Sequence, residues 1–497
     1  MMENFTMLQF FEWYLPNDGG HWNKLTEEAV RLKGMGIDTL WLPPAHKGMS
    51  GSNSTGYDSY DLYDLGEFDQ KGSVRTKYGT REEFLNAIKA ARKAGLKVYA
   101  DVVLNHLGGA DESEQVTVRK VNLNNREEFI SEPFEIEAFT RFAYPARAEK
   151  YSAFKWDFQC FSGVDYDAAS PEDGVIYSIQ NQYGDGWDQV PGDEHGNFDY
   201  LMLCDIEFRN PAVVEELKAW GKWFLETTGV DGFRLDAVKH IPAYFYADWL
   251  DYLRHETGAE LFAVGEYWTP LDLQAMQNYL EETSGKMSLF DAPLQHNFSK
   301  ASEEGNAFDL RTIFDGTLVS ANPALAVTLV ENHDTQPLQA LEQPVAQWFR
   351  PIAYALILLR EAGYPCVFYS DIYGAGYVDG GGDGDQHEIV MEPVSELEEL
   401  LKLRKQYAYG FQADYFDHAN CVGWLRRGDE AVEGSGLAVL LSNGEEGHKR
   451  MEMGATFAGK TLRDALGKIG DTIEVGADGW ANLRCPAGGV SVWIVEA

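Results

Sequence analysis

The sequence predicts an α/β protein: a (β/α)8 barrel of the TIM type, interrupted once by an inserted β-rich domain and followed by a C-terminal antiparallel β domain. Three observations carry this reading. Eight short apolar runs, rich in β-branched and aromatic residues, alternate with helical patterns, the signature of a parallel sheet whose strands return through helices. About one hundred residues after the third run lose that rhythm, too many for a single loop in a compact barrel. The last ninety or so residues, roughly, change to short alternating runs between Gly- and Asn-containing turns.

The first run is Phe5 to Trp13 and the second Asp38 to Pro43. Between them Leu25, Ala29, Leu32 and Met35 recur at helical spacing, with Gly34 and Gly36 expected to stop the helix. Thr80 opens the next helix, Glu83 completes a capping box, and Phe84, Ile88 and Ala91 share one face before Gly95 ends it. Lys97 to Leu104 is the third strand and closes the first barrel segment, residues 1–104. Residues 105–205 are the inserted domain, irregular, polar and aromatic, with weak periodicity. The barrel resumes over 206–400 with a helix from Pro211 to Leu225. Strands four to eight follow in the runs starting at Gly232, Leu261, Ser288, Ala326 and Pro365, and eight is the number that closes such a barrel. A helix at Leu397 to Arg404 leads into the C-terminal domain, 401–497, whose alternating runs begin at Cys421, Gly436 and Val490.

Composition narrows the function. With 41 basic against 79 acidic residues the net charge is −38, which repels phosphate backbones and argues against a nucleic-acid partner. Five scattered cysteines, with no CxxC, read as reduced buried thiols rather than a disulfide framework. The first residues lack a basic segment followed by an apolar core, and no run of 18 apolar residues exists, so a protein without a membrane partner is expected, cytoplasmic, or secreted if a leader has been removed. The 13 Trp and 25 Tyr suit carbohydrate surfaces, although aromatic residues mostly fill cores.

In such a barrel chemistry lies where the strands end. Four endings carry polar groups: Asp101-Val-Val-Leu-Asn105-His106, Arg234-Leu-Asp236 with Lys239-His240, Glu266, and Asn332-His333-Asp334. Residues i and i+2 of a strand face the same way, so Arg234 and Asp236 share the mouth, and the guanidinium is expected to keep Asp236 ionised. Glu266 follows the apolar run Leu-Phe-Ala-Val-Gly, where desolvation raises a carboxyl toward the range of a general acid. Two carboxyl groups tuned in opposite directions are the apparatus for splitting an acetal.

These segments, Asp-Val-Val-Leu-Asn-His (101–106), Gly-Phe-Arg-Leu-Asp-Ala-Val-Lys-His (232–240), Gly-Glu-Tyr-Trp (265–268) and Glu-Asn-His-Asp (331–334), resemble the four signature regions of the α-amylase family, glycoside hydrolase family 13, in order. The stretches 56–68, 199–205 and 406–410 look like its bacterial liquefying and intracellular branch. The resemblance implies endo-acting, retaining hydrolysis of α-1,4-glucan by a monomeric chain, with a maltooligosaccharide-forming or transglycosylating enzyme as the alternative. It implies Asp236 as nucleophile, Glu266 as acid/base and Asp334 as a third carboxylate that stabilises the transition state. His106, His333 and Arg234 would line the bond-breaking subsite, Tyr57 would stack on its sugar, and Lys239, His240 and Trp268 match leaving-group-side positions. Trp13 either lines the cleft or fills the barrel. A sugar-binding module without chemistry would lack one of the carboxylates, and none is missing.

Asn105, Asp199 and Asp205 lie at the seams where the insertion leaves and rejoins the barrel. Alone they read as ordinary loop residues; the resemblance makes them ligands of one Ca²⁺, a cation that takes oxygen donors, together with the backbone carbonyl of His240. Asp188 fits a further metal cluster of related bacterial enzymes. Ser162 stands where that pattern has Asp, so a second metal site is expected to be weak or absent.

Overall fold

Eight parallel strands close a barrel in the computed structural model, which describes residues 4–381 and 384–496. They are β1 (Met7–Gln9), β2 (Thr39–Leu42), β3 (Lys97–Val102), β4 (Gly232–Leu235), β5 (Phe262–Gly265), β6 (Ser288–Phe290), β7 (Ala326–Leu329) and β8 (Tyr364–Phe368), hydrogen-bonded in chain order with β8 closing on β1. Helices cover the outside, so the strands are buried on both faces and read as continuous apolar runs. Only the middle of the first run enters the sheet; Phe10 to Trp13 continue beyond it.

The helix His21–Met35 buries Trp22, Leu25, Ala29 and Leu32. Gly34 remains helical, contrary to expectation, because burial of Leu32 and Met35 on either side outweighs a propensity cost of about 1 kcal/mol. Gly36, at φ 104°, ends the helix in a left-handed conformation that suits glycine. Thr80 and Glu83 form both halves of the capping box on Arg81–Lys93. Asn210 caps the helix Pro211–Thr228, which runs three residues past the expected Leu225.

The insertion is more regular than its sequence texture. Its sheet runs, in order, His106–Leu107, Cys204–Ile206, Phe161–Val164, Tyr177–Ile179, Glu112–Asn122 and Asn125–Phe129, with Phe134–Arg141 paired to Glu112–Asn122. Val116 and Val118 on one long strand, and Ile136 and Ala138 on the other, turn inward. His106–Leu107 pairs antiparallel with Cys204–Ile206, so the exit and return of the insertion lie side by side.

The C-terminal domain has a six-stranded antiparallel sheet, containing Cys421–Arg426, Leu437–Ser442 and Gly489–Val495, beside a pair formed by Gly447–Glu452 and Trp480–Cys485. The helix Leu397–Tyr407 packs on Arg350–Leu358 of the barrel, and the boundary expected at 400 falls inside it. Asn443 clasps the two domains: its Nδ2 donates to the carbonyls of Gly305 (2.9 Å) and Phe308 (2.8 Å), while Asn420 Nδ2 donates to Asn306 O (2.7 Å) and Asn443 Oδ1 (3.0 Å). Among the described residues no helix is long and apolar enough to cross a membrane.

Candidate active site

The register of the barrel sets Arg234 on β4 directly beside Asp101 on β3. From this buried position the guanidinium reaches three carboxylates. Nη1 donates to Asp101 Oδ1 (2.9 Å) and Asp236 Oδ1 (2.5 Å), and Nη2 lies 2.8 Å from Glu266 Oε2. The other Asp101 oxygen accepts from Trp41 Nε1 (2.9 Å) and Tyr57 OH (2.8 Å). Ala237, just after Asp236, sits at φ 48°, an uncommon conformation for a residue with a side chain. Turned this way its N–H donates to Glu266 Oε2 (3.2 Å), and the next N–H, of Val238, donates to the Glu266 carbonyl (3.1 Å).

Electrostatics depart from expectation at one residue. Burial lifts the Asp236 carboxyl to about 6, against the pull of Arg234. One guanidinium charge divided among three carboxylates does not offset the loss of water around each. Glu266 is raised as expected, first by burial, with Arg234 opposing and the negative charge of Asp236 adding. Asp334 is held well above the usual carboxylate range by burial and then by Glu266.

His333 is neutral, because burial and Arg234 depress its pKa. Gln9 Nε2 lies 3.0 Å from His333 Nδ1; with the amide donating, the ring proton sits on Nε2. That nitrogen is 3.3 Å from Asp334 Oδ2 and, among the described residues, has no aligned hydrogen-bond partner, leaving a buried donor for a hydroxyl. Trp13, Tyr57 and His333 stack with interplanar angles of 10–13°, the Tyr57–His333 centroids 5.0 Å apart and Trp13–Tyr57 5.8 Å. Trp13 thus belongs to the mouth and not to the barrel filling. His106 donates from Nε2 to the Tyr57 carbonyl (2.7 Å) and so positions that ring. Lys239 Nζ pairs with Glu194 (2.9 Å) and lies 3.4 Å from the Trp268 carbonyl; both side chains line a cavity of about 760 Å³ bounded by residues 338–343. His240 leans instead to the insertion, its Nδ1 2.7 Å from the Phe198 carbonyl.

At the seam, Asn105 Nδ2 donates to Asp205 Oδ1 (3.2 Å), and the other Asp205 oxygen accepts from the Ser162 hydroxyl. Asp199 Oδ2 accepts from the Asp188 N–H (3.1 Å). Burial, then the charges of Asp188 and Glu207, push Asp199 far above the usual range, and burial, then the charges of Asp199 and Glu207, do the same to Asp205. Among the described residues Asn105 Oδ1 is buried with no hydrogen-bond partner. Among the described residues no three His, Cys, Asp or Glu side chains converge as a metal cluster. The donors here are one amide oxygen and two carboxylates, and an orphaned oxygen between uncompensated charges is the chemistry a hard cation takes. Asp188 is occupied differently, accepting from the Tyr244 hydroxyl.

The motifs contain Asp101 and Ala237 without giving either a role, and Gln9 lies outside them. Asp101 had a signal, an isolated charge inside an otherwise apolar strand. Gln9 had a fainter one, the single polar side chain of β1.

Raised carboxyls gathered at the C-terminal mouth of a closed parallel barrel, beside a stack of flat rings, are the equipment of a glycoside hydrolase, and that is the class of this protein. Comparison specifies it. Residues 9–404 match the family model described as "Alpha amylase, catalytic domain" and 437–494 match "Alpha-amylase C-terminal", so the chain belongs to the α-amylase family. It is 50% identical over 495 residues to the cytoplasmic alpha-amylase of Escherichia coli (strain K12), covering 100% of this chain and 99% of that one. It is 48% identical over 491 residues to the glucan 1,4-alpha-maltohexaosidase of Bacillus sp. (strain 707), covering 99% and 92%. Among solved structures, an alpha-amylase from Geobacillus thermoleovorans complexed with acarbose shares the fold with a TM-score of 0.63 at 19% identity, over 99% of this chain and 98% of that one.

Proposed function

We propose that the protein hydrolyses internal α-1,4-glucosidic bonds of starch, glycogen and maltooligosaccharides with retention of configuration. The observation that carries this reading is Arg234 holding Asp236 and Glu266 on its two terminal nitrogens. Carboxyls gripped by one guanidinium fit the separation of about 5–5.5 Å used for covalent catalysis better than the roughly 6.5–9.5 Å that admits a water between them. Asp236 attacks the anomeric carbon while Glu266 protonates the departing oxygen; Glu266 then takes a proton from the water that releases the glycosyl group. Asp334 stabilises the positive charge that develops on the sugar, and His333 Nε2 donates to a hydroxyl. Tyr57, oriented by Asp101 and His106, stacks on the same sugar, and Arg234 holds both reacting carboxyls in place. Lys239, His240 and Trp268 border the leaving-group side.

Asn105, Asp199, Asp205 and the His240 carbonyl would hold one Ca²⁺, which would neutralise the two carboxylates where the insertion meets the end of β4. A second metal at Asp188 is weak or absent, since Ser162 contributes a hydroxyl already directed at Asp205. A cytoplasmic location is supported by the name of the Escherichia coli relative and by five cysteines that are all buried and free. The maltohexaosidase relative supports a second reading, release of one preferred oligosaccharide. Digestion of soluble starch with product sizes followed over time separates the two. Rapid loss of iodine colour with mixed early products supports endo-hydrolysis, a single early oligosaccharide supports the second reading, and no products at all refute both.

A further inference from the structure

Two of the five cysteines meet in the C-terminal domain, in different sheets. Cys421 begins the strand Cys421–Arg426 and Cys485 ends Trp480–Cys485. Gly447 lies opposite Cys485 in register, and its missing side chain makes the meeting possible: a Cβ there would fall 2.6 Å from Cys421 Sγ and 2.8 Å from Cys485 Sγ. Two sulfurs that close to one point are at most about 5.4 Å apart, near enough for the pair to be a candidate for a bond.

The two thiols are not equivalent. Cys421, 8% exposed, forms part of the wall of a cavity of about 840 Å³, while Cys485 is fully buried behind it. The neighbouring Cys485 thiol and the ammonium of Lys449, which pairs with Asp417, pull the Cys421 pKa down against burial and the Asp417 charge. Burial pushes Cys160 and Cys366 up to about 12 and Cys204 upward as well. A sulfur at the wall of a cavity with a second, fully buried thiol behind it is the arrangement of a reactive thiol with its resolving thiol.

We propose that Cys421 and Cys485 form a redox-active dithiol, which low-molecular-weight disulfides oxidise to an intramolecular bond linking the two sheets of the C-terminal domain. The Cys421 thiolate attacks one sulfur of the small disulfide, forming a mixed disulfide and expelling one small thiolate. Cys485, losing its proton to solvent, attacks the Cys421 sulfur and expels the second. Two protein thiols are oxidised and one small disulfide is reduced to two thiols.

The test incubates the full chain with oxidised glutathione, blocks remaining thiols with iodoacetamide and maps disulfides by mass spectrometry without reduction. The expected result is a linked Cys421–Cys485 peptide, with Cys160, Cys204 and Cys366 alkylated only after unfolding. Cys485→Ser should accumulate glutathione on Cys421, and Cys421→Ser should form neither product. Starch hydrolysis by both variants, unchanged because neither sulfur belongs to the barrel mouth, verifies their fold. A disulfide through any other cysteine, uniform oxidation of all five thiols, or a lasting glutathione adduct on Cys421 in the unaltered chain would overturn the proposal.

Discussion

Replacing Asp236 with Asn should abolish turnover and, at the same time, stabilise the fold. Burial moves this carboxyl from 3.8 to about 6, a rise of 6 − 3.8 ≈ 2.2. At about 1.4 kcal/mol for each tenfold step, holding it ionised in the folded protein costs on the order of 3 kcal/mol. The isosteric amide does not carry that cost, and Arg234 keeps Asp101 and Glu266 as partners. Because the folded pKa lies above the unfolded one, the contribution of Asp236 to stability is complete below about pH 3.8 and is lost as pH rises through about 6. The advantage of the Asn variant should therefore be near zero at about pH 4, open between about 4 and 6, and level off near 3 kcal/mol by about pH 8. Denaturant unfolding of both proteins across that range measures the difference, and maltooligosaccharide cleavage measures the activity. A variant no more stable than the parent at alkaline pH, a difference that does not shrink on acidification, or more than about a hundredth of the parental activity would refute the reasoning.

Glu266→Gln should lose at least about a hundredfold in kcat. The parent should give a bell-shaped pH–rate profile, falling below about 6 as Asp236 takes up a proton and falling again above the raised pKa of Glu266 as that group loses one; a flat profile contradicts the pairing. Chelation should lower the melting temperature and added Ca²⁺ restore it, since the ion binds the folded seam and not the unfolded chain. An unchanged melting temperature refutes the firm site, and two or more tightly held metals by elemental analysis refute the role given to Ser162. Asn443→Ala should cost about 1–3 kcal/mol by leaving the buried Phe308 carbonyl without its side-chain donor, while the Gly305 carbonyl keeps the Phe308 N–H, with starch hydrolysis unchanged at low temperature. An unfolding midpoint equal to that of the parent would count against the clasp.

What the sequence makes legible is what depends on local pattern. Buried parallel strands need apolar residues on both faces, so runs such as Thr39–Leu42 and Ala326–Leu329 stand out, and a capping box such as Thr80–Glu83 is local chemistry. The i, i+2 relation of Arg234 and Asp236 is legible for the same reason. The pairing of Arg234 with a third partner, Asp101, is set by the register between β3 and β4, more than a hundred residues apart in the chain, and no local pattern announces that contact. The raised pKa of Asp236 is not legible, because the pull of Arg234 is visible in the sequence whereas the burial opposing it is a property of the closed barrel. In the insertion, Phe134–Arg141 alternates plainly, but charged residues fill its outer face and Phe139 remains exposed, which conceals the period. Gly34 errs the other way: its propensity says stop, and tertiary burial on both sides keeps the helix going.

The most direct test is proton NMR of the first products released from a maltooligosaccharide, recorded before mutarotation equilibrates the new reducing end. Two successive displacements, by Asp236 and then by a water activated by Glu266, predict initial accumulation of the α-anomer. Initial accumulation of the β-anomer would mean a single displacement by water, and the assignment of Asp236 as nucleophile would fall.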